Sequence, residues 1–113
     1  DWMGRAAVYA LPARYEPFGL SALEAGLAGC ALVLGDIPSL REVWGDAATY
    51  VAPDDAAALA DALRTLAADD AHRTALGIRA RTRALTYTPA RMADGYLAAY
   101  AAAATHHGAA ACA

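Results

Sequence analysis

The stretch that decides the fold runs from residue 15 to residue 29 and reads Y-E-P-F-G-L-S-A-L-E-A-G-L-A-G. It places two carboxylates, Glu16 and Glu24, on either side of a Pro-Phe-Gly-Leu turn. One short apolar run, over residues 6–11, comes before it, and another, over residues 31–34, follows it. Apolar runs of this length bounded by turn residues are typical of strands buried in a parallel sheet. The predicted order is therefore strand, loop, helix, strand.

The helix within this stretch has recognisable start and stop signals. Pro17 is suited to the first turn of a helix, where its missing N–H is not needed. The spacing of Leu20, Leu23 and Leu27 predicts a buried face. Gly29 is expected to end the helix.

The rest of the chain continues the alternation of strands and helices. Ser39, with Glu42 three residues on, fits the start of a short helix that ends near Trp44. A third strand is predicted over 48–51. A helix capped by aspartate follows from Asp54-Asp55, with Leu59, Leu63 and Leu66 on one face.

Two further helices are predicted after residue 69. The first covers about 70–85, with Leu76 and Ala80 inward and four arginines largely outward in solvent: Arg73, Arg79, Arg81 and Arg83. The second begins at Thr88-Pro89, which fits an N-cap and a first-turn proline. An apolar stripe follows it, formed by Met92, Ala93, Tyr96, Leu97 and Tyr100.

These elements predict an α/β fold, a partial Rossmann-like parallel sheet of about three strands flanked by helices, with a helical C-terminal part. We expect residues 1–104 to form the C-terminal half of such a domain and residues 105–113 a flexible tail. In sheets of this kind ligands bind beyond the carboxyl ends of the strands, where the stretch 15–29 lies.

Composition excludes several classes of function. The net charge of −3 argues against a nucleic-acid partner or direct binding to an anionic membrane. No apolar run approaches the roughly 20 residues that a membrane helix needs. Residue 1 is Asp and no signal peptide is visible, so we expect a piece of a longer protein. Cys30 and Cys112 lie far apart, which favours free thiols and a cytoplasmic protein.

The chemistry of the stretch 15–29 indicates a ligand class. A helix N-terminus presents free N–H groups and partial positive charge, so the amides of Phe18, Gly19 and Leu20 suit a phosphate. Glu24, further into the helix, could accept two hydrogen bonds from a vicinal diol such as a ribose. Glu16 would face whatever lies beyond the phosphates. A phosphate with a polyol at each end describes a nucleotide sugar.

The segment from Glu16 to Glu24 resembles the E-x7-E motif of the family 4 glycosyltransferases, retaining enzymes with two Rossmann-like domains, the GT-B fold. The flanks agree, with Leu11-Pro12 before the motif and Gly35-Asp36-Ile-Pro38 after it. The resemblance covers about residues 6–100. It places the chain in the second half of the C-terminal, donor-binding domain.

The resemblance implies a role for each site residue. Glu24 would bind the ribose hydroxyls, and Glu16, the candidate catalytic residue, would lie against the hydroxyls of the donor sugar. The amides of Phe18, Gly19 and Leu20 would contact sugar and diphosphate. A nucleotide-sugar donor and an unidentified acceptor are the implied substrates, with no metal and no cofactor.

The resemblance also implies a missing part. The basic pair that neutralises the diphosphate in this family comes earlier than residue 1, and neither Arg5 nor Arg14 lies in that motif. The N-terminal acceptor domain is absent as well, and any peripheral membrane contact would come through it. We therefore expect this chain alone to be inactive and to bind donor weakly. Nucleotide base, donor sugar, acceptor and linkage stay open.

Alternatives remain for both the function and the residues. The same fold serves nucleotide-sugar epimerases, and a non-enzymatic interaction module would use the exposed edge of the first strand, with a homo-oligomer as its consequence. Glu24 could instead close a capping box with Ser21. His106, His107 and Cys112 are poor candidates for metal ligands because they lack a second ligand pair.

Overall fold

The structure is a computed structural model that describes residues 2–110, with side chains described as far as Thr105. A 3-10 turn at Met3–Arg5 precedes the first strand. The strands are β1 (Val8–Leu11), β2 (Ala31–Gly35) and β3 (Thr49–Val51). The helices are α1 (Leu20–Ala28), α2 (Pro38–Trp44), α3 (Ala56–Ala68), α4 (Asp70–Ala84) and α5 (Pro89–Ala110).

The three strands form one parallel sheet in the order β1-β2-β3, which confirms the predicted fold class. Val8 pairs with Ala31 and Val33 pairs with Thr49, so the carboxyl ends of all three strands meet at one edge. β2 lies in the middle and all of its residues are buried. β1 is an edge strand within the described part of the chain and is only half-buried, because no further strand covers its outer side. The predicted burial of this strand is therefore wrong, whereas its predicted position at the edge of the sheet is confirmed.

Helices cover both sides of the sheet and divide the core in two. On one side Leu32 and Leu34 of β2 belong to a cluster with Trp44 and with α1 and α4. On the other side Ala31, Val33 and Val51 pack with Leu66 of α3 and Leu76 of α4. Since β2 contributes to both clusters, its continuous apolar run is explained.

Cys30, immediately before β2, is a buried free thiol. Its Sγ lies 3.3 Å from the carbonyl oxygen of Ala6 and 3.4 Å from that of Met3, to which it donates. Burial raises the pKa of this thiol above its usual value, so it stays protonated at neutral pH. Cys112 lies outside the described residues.

Two of the predicted helix caps are confirmed. The side chain of Asp55 accepts a hydrogen bond from the amide of Ala58 at 2.8 Å at the start of α3. The hydroxyl of Thr88 accepts one from the amide of Arg91 at 3.1 Å, with Pro89 as the first residue of α5. Each bond satisfies one of the amides that a helix start leaves unpaired.

The predicted start and buried face of α1 are wrong. The helix begins at Leu20 rather than at Pro17, and its buried residues are Ala22, Ala25 and Gly26. Leu20 is 70% exposed, Leu27 is exposed as well, and Leu23 is only half-buried. The physical reason is the close approach of α1 to Trp44, where larger side chains would not fit.

The predicted cap of α2 is also wrong. α2 begins at Pro38, with Ile37 as its N-cap, and no side chain caps it. The hydroxyl of Ser39 instead donates a hydrogen bond to the backbone carbonyl of Glu16 at 2.6 Å. Ser39 therefore ties the beginning of α2 to the loop that carries Glu16.

Three of the four arginines of α4 are not simply solvated, contrary to the prediction. Each donates to a carbonyl oxygen near the C-terminus of a different helix, where carbonyls lack helical partners and carry partial negative charge. The pairs are Arg81 with Leu27 of α1 at 3.0 Å, Arg73 with Leu66 of α3 at 2.7 Å, and Arg83 with Val43 of α2 at 2.6 Å. α4 thus joins the ends of three other helices.

α5 runs as far as Ala110, so the predicted boundary between residues 104 and 105 falls inside this helix. Its apolar stripe is bare, with Met92, Tyr96, Leu97 and Tyr100 all more than half exposed. The structure describes neither the side chains of His106 and His107 nor any part of residues 111–113. Within the described range, α5 and the other helices lack the combination of length and apolar character needed to cross a bilayer.

Candidate functional site

The candidate site lies where the loop after β1 enters α1, at the carboxyl edge of the sheet. This loop follows Leu11 and ends at Gly19, the N-cap of α1. An ion pair joins it to the loop after β3, with Arg14 Nη2 at 2.5 Å from Asp54 Oδ1. Both side chains are largely exposed, so this pair contributes little to stability.

Gly19 is the point at which the loop turns into the helix. Its φ of 84° lies in the left-handed region, which side chains with a Cβ rarely adopt. It is also buried, and a Cβ at this position would lie 3.3 Å from Leu40 Cδ2 of α2. Both conformation and space therefore call for glycine at this turn.

Glu16 folds back onto the amides of the same turn. Its Oε1 accepts a hydrogen bond from the amide of Gly19 at 2.9 Å and a longer one from the amide of Phe18 at 3.4 Å. Two of the three amides that the sequence assigned to a phosphate therefore bind the Glu16 carboxylate in this structure. The negative charge also lies at the positive end of α1, where it is favourable.

Glu24 lies exposed on the second turn of α1. Its carboxylate makes no hydrogen bond or ion pair within the described part of the chain. The alternative capping box at Ser21 is not formed, because Ser21 lies inside α1 and its hydroxyl accepts a hydrogen bond from Tyr9 of β1 at 2.8 Å. Glu24 is thus accessible to a ligand.

The ring of Phe18, next to the turn at Gly19, packs against the ring of Tyr87. Their rings meet edge to face with centroids 5.3 Å apart. Tyr87, between α4 and α5, donates its hydroxyl to the carbonyl of Val43 at 2.9 Å. The sequence analysis does not identify Tyr87 or the bond from Ser39 to the Glu16 carbonyl. Both contacts join residues far apart in the chain, and no sequence motif marks them.

An apolar groove runs along the outer side of α1. It has a volume of about 760 Å³ and lies between α1 and the beginning of α5. The side chains that line it include Phe18, Leu20, Leu23, Leu27, Tyr87 and Met92. Leu20 therefore contributes its side chain to this groove, while its amide belongs to the N-terminus of α1.

Asp36 and Arg41 form a two-point ion pair just beyond the carboxyl end of β2. Arg41 Nη2 lies 2.8 Å from Asp36 Oδ2, and a second bond joins Arg41 Nε to Asp36 Oδ1. The guanidinium lies 4.3 Å from the centre of the Tyr50 ring. The hydrogen bond from Arg41 lowers the pKa of Asp36, so this carboxylate stays charged at neutral pH.

Among the described side chains, no three His, Cys, Asp or Glu residues lie close enough together to hold a metal ion.

The family described as "Glycosyl transferases group 1" matches residues 1–83, which include the whole segment from Glu16 to Glu24. The chain belongs to this family. The match confirms the resemblance to family 4 glycosyltransferases that the Glu16–Glu24 segment carries.

Individual relatives agree with the family. The chain is 46% identical over 69 residues to a glycogen synthase of Mycobacterium tuberculosis, covering 59% of this chain and 17% of that protein. It is 36% identical over 100 residues to a D-inositol 3-phosphate glycosyltransferase of Nocardia farcinica, covering 87% and 22%. Among solved structures, a sucrose-phosphate synthase from Thermosynechococcus elongatus superposes with a TM-score of 0.75 at 30% identity, covering 89% of this chain and 27% of that one. The chain thus spans 17 to 27% of the length of these relatives.

Proposed function

We propose that this chain forms the donor-side wall of a glycosyltransferase that moves a sugar from a nucleotide-diphosphate sugar to an acceptor hydroxyl with retention of configuration. The observation that carries the proposal is the pair of carboxylates on one helix start, with Glu16 held at the N-terminus of α1 and Glu24 free one turn later. Family membership supports this interpretation of the pair.

Each residue then has a role. Glu24 accepts hydrogen bonds from the ribose hydroxyls, and Glu16 acts as the catalytic residue that contacts the hydroxyls of the transferred sugar. The segment from Phe18 to Leu20 lies beside the transferred sugar and the diphosphate. Neither a metal nor a cofactor is part of the proposed mechanism.

The chemical task of this wall is electrostatic. As the sugar leaves, negative charge develops on the departing diphosphate. The N-terminus of α1 supplies partial positive charge that is already fixed in place, because α1 packs closely against α2 and α4. This stabilises the transition state without reorganisation of the site.

The short span of the match supports a larger enzyme. Relatives of which this chain matches only 17 to 27% leave room for the acceptor side and for the basic side chains that neutralise a diphosphate. We call this larger protein the intact enzyme. The chain alone is then inactive, and we propose a cytoplasmic location, in keeping with the free buried thiol of Cys30.

Changing Glu24 to Gln in the intact enzyme tests the proposal. Loss of a charged hydrogen bond to the ribose is expected to weaken donor binding by about 10- to 100-fold. Asp46→Asn is the matched control, because Asp46 is exposed in the loop before β3, away from the carboxyl edge. Donor affinity measured by calorimetry that is the same in both variants would exclude the ribose role.

The epimerase alternative predicts a different product. The relatives named above are synthases and a glycosyltransferase, which favours transfer over epimerisation. In a transferase, free nucleoside diphosphate accumulates rapidly only when an acceptor is added. Conversion of the donor sugar without release of nucleotide would establish the epimerase instead.

The interaction-module alternative depends on the exposed edge of β1. Such an edge offers unpaired backbone groups to a second copy of the chain. A homo-oligomer of the 113-residue chain is therefore proposed when nothing else covers β1. A monomer at high concentration in sedimentation experiments would argue against it.

A further inference from the structure

We propose that the amides of Phe18 and Gly19, together with the hydroxyl of Ser39, position the Glu16 carboxylate and do not themselves bind the diphosphate. They act through Glu16, whose second oxygen is left to contact the donor sugar. This inference rests on the proposed function and assigns the parts of the site more finely.

The hydrogen bonds of Glu16 are divided unevenly between its two oxygens. Oε1 accepts from Gly19 and Phe18, whereas Oε2 has no hydrogen bond to any described residue. A carboxylate has capacity for about four hydrogen bonds, so half of Glu16 is used by the protein and half is open. This is the arrangement expected of a carboxylate that is anchored and still free to bind a hydroxyl.

The backbone of Glu16 is fixed as firmly as its side chain. Ser39 donates to its carbonyl at 2.6 Å, and Leu40 of the same helix closes the space beside Gly19. The Cγ of Glu16 itself would lie 3.6 Å from a Cβ at Gly19. Glu16 is therefore held at two points before any ligand arrives, its carboxylate by the amides at the start of α1 and its backbone by Ser39 of α2.

The competing arrangement is a carboxylate that occupies the phosphate position and leaves when donor binds. One amide N–H makes one strong hydrogen bond, so the Gly19 amide cannot serve carboxylate and phosphate equally. A negative charge in the phosphate position would also repel the diphosphate. The two arrangements predict opposite effects of removing the Glu16 charge.

The first experiment compares Glu16→Gln with the unchanged intact enzyme. Positioning predicts that kcat/KM for the nucleotide sugar falls by about 10- to 100-fold, as for loss of a charged hydrogen bond. The Kd of the nucleoside diphosphate product, which lacks the sugar, is expected to change less than twofold. Product binding that becomes fivefold tighter or more in Glu16→Gln would overturn the inference, because Glu16 would then compete with phosphate.

The same titration separates this inference from the proposed function. If the unchanged intact enzyme binds UDP, GDP and ADP no better than inorganic phosphate, the proposed function fails. If the unchanged enzyme binds one of these nucleotides and Glu16→Gln binds it fivefold more tightly or more, only the positioning role of the amides fails.

The second experiment uses two glycines at opposite ends of α1. Gly19 and Gly29 have nearly the same left-handed conformation, with φ of 84° and 88°, but only Gly19 contacts the site, and a Cβ at Gly29 would meet open space. Both Gly→Ala variants should lose stability, since alanine is strained there. Only Gly19→Ala is expected to lower kcat/KM, by about 10-fold, because the amide no longer holds Glu16. Equal kcat/KM in the two variants would overturn the positioning role.

Ser39 provides a milder version of the same test. Ser39→Ala removes the bond to the Glu16 carbonyl and is expected to lower kcat/KM several-fold with unchanged binding of nucleoside diphosphate. Ser39→Thr keeps the hydroxyl and is expected to restore activity. Thr65→Ala is the control, since Thr65 likewise donates to a backbone carbonyl, that of Asp61, on α3. A failure of Ser39→Thr to exceed Ser39→Ala would contradict the role of the hydroxyl.

Discussion

The two faces of α1 differ in burial, and the difference is the opposite of what the size and hydrophobicity of their side chains predict. The inner face consists of Ala22, Ala25 and Gly26, all buried against α2 and α4. The outer face carries the three leucines and opens on the groove beside α5. The small side chains are thus buried, whereas Leu20 and Leu27 are exposed and Leu23 is half-buried. Burial in this helix is decided by how closely its neighbours approach, not by side-chain hydrophobicity alone.

This difference has a consequence for the site. The tight face fixes α1 relative to the sheet, so that the turn at Gly19 and the two glutamates keep their positions. The open face leaves apolar surface for whatever part of a longer protein would pack there. Changes on the inner face should therefore destabilise the fold, whereas changes on the outer face should not.

A large loss of stability is expected at Gly77 of α4. A Cβ there would overlap the carbonyl oxygen of Gly29, a backbone atom that follows α1 and cannot move aside easily. We expect Gly77→Ala to lower the free energy of unfolding by about 3 kcal/mol. Chemical denaturation of the 113-residue chain measures this change in the free energy of unfolding.

Gly95 is the matched control for this change. It also lies inside a helix, but a Cβ there would meet open space, so Gly95→Ala should be stabilising by up to about 1 kcal/mol through helix propensity. Equal stability of the two variants would mean that α4 does not pack against the end of α1.

A smaller loss is expected at Gly26 on the inner face itself. A Cβ there would lie 2.8 Å from Cη2 of the fully buried Trp44 and 3.3 Å from the Cβ of Ala84. The far end of an indole can shift more readily than a backbone carbonyl. We therefore expect Gly26→Ala to cost about 1 to 2 kcal/mol, measured as above. A gain in stability like that of Gly95→Ala would show that the inner face of α1 can accommodate an additional methyl group.

The sequence predicted the parts of the fold that depend on local signals. The continuous apolar run of β2, the aspartate cap of α3 and the Thr88-Pro89 start of α5 were all recognised correctly, because each is decided by neighbouring residues. The sequence also placed Glu16 and Glu24 beside the start of one helix.

The errors concern contacts between distant residues. The leucine spacing predicted the wrong face of α1, because the position of Trp44 decides which side chains fit. The predicted start of α1 is too early, because the left-handed turn at Gly19, which packs against Leu40 of α2, delays the start of the helix to Leu20. The arginines of α4 were interpreted as solvated, since the carbonyls they bind are 7 to 54 positions away in sequence.

Arg81 tests how the C-terminal end of α1 is held. It donates to the carbonyl of Leu27 at 3.0 Å, at the end where the helix dipole is negative. Because Arg81 is exposed, Arg81→Ala should cost only about 0.5 to 1 kcal/mol. Arg79→Ala is the control on the same helix, since Arg79 is exposed and makes no side-chain bond within the described residues. Identical unfolding midpoints for the two variants would mean that the hydrogen bond from Arg81 to the Leu27 carbonyl does not stabilise the fold.

The smallest effect is expected on the outer face, at Leu20. This side chain is 70% exposed, so Leu20→Gln should change the free energy of unfolding of the 113-residue chain by less than about 0.5 kcal/mol. Leu76→Gln is the contrasting variant, because Leu76 is 2% exposed and a buried amide without partners should unfold the chain. A fluorescent dye that binds apolar surfaces should bind less to Leu20→Gln than to the unchanged chain, since Leu20 lines the groove. A large drop in the thermal midpoint of Leu20→Gln would show that the leucine face is covered, and the contrast between the two faces of α1 would then disappear.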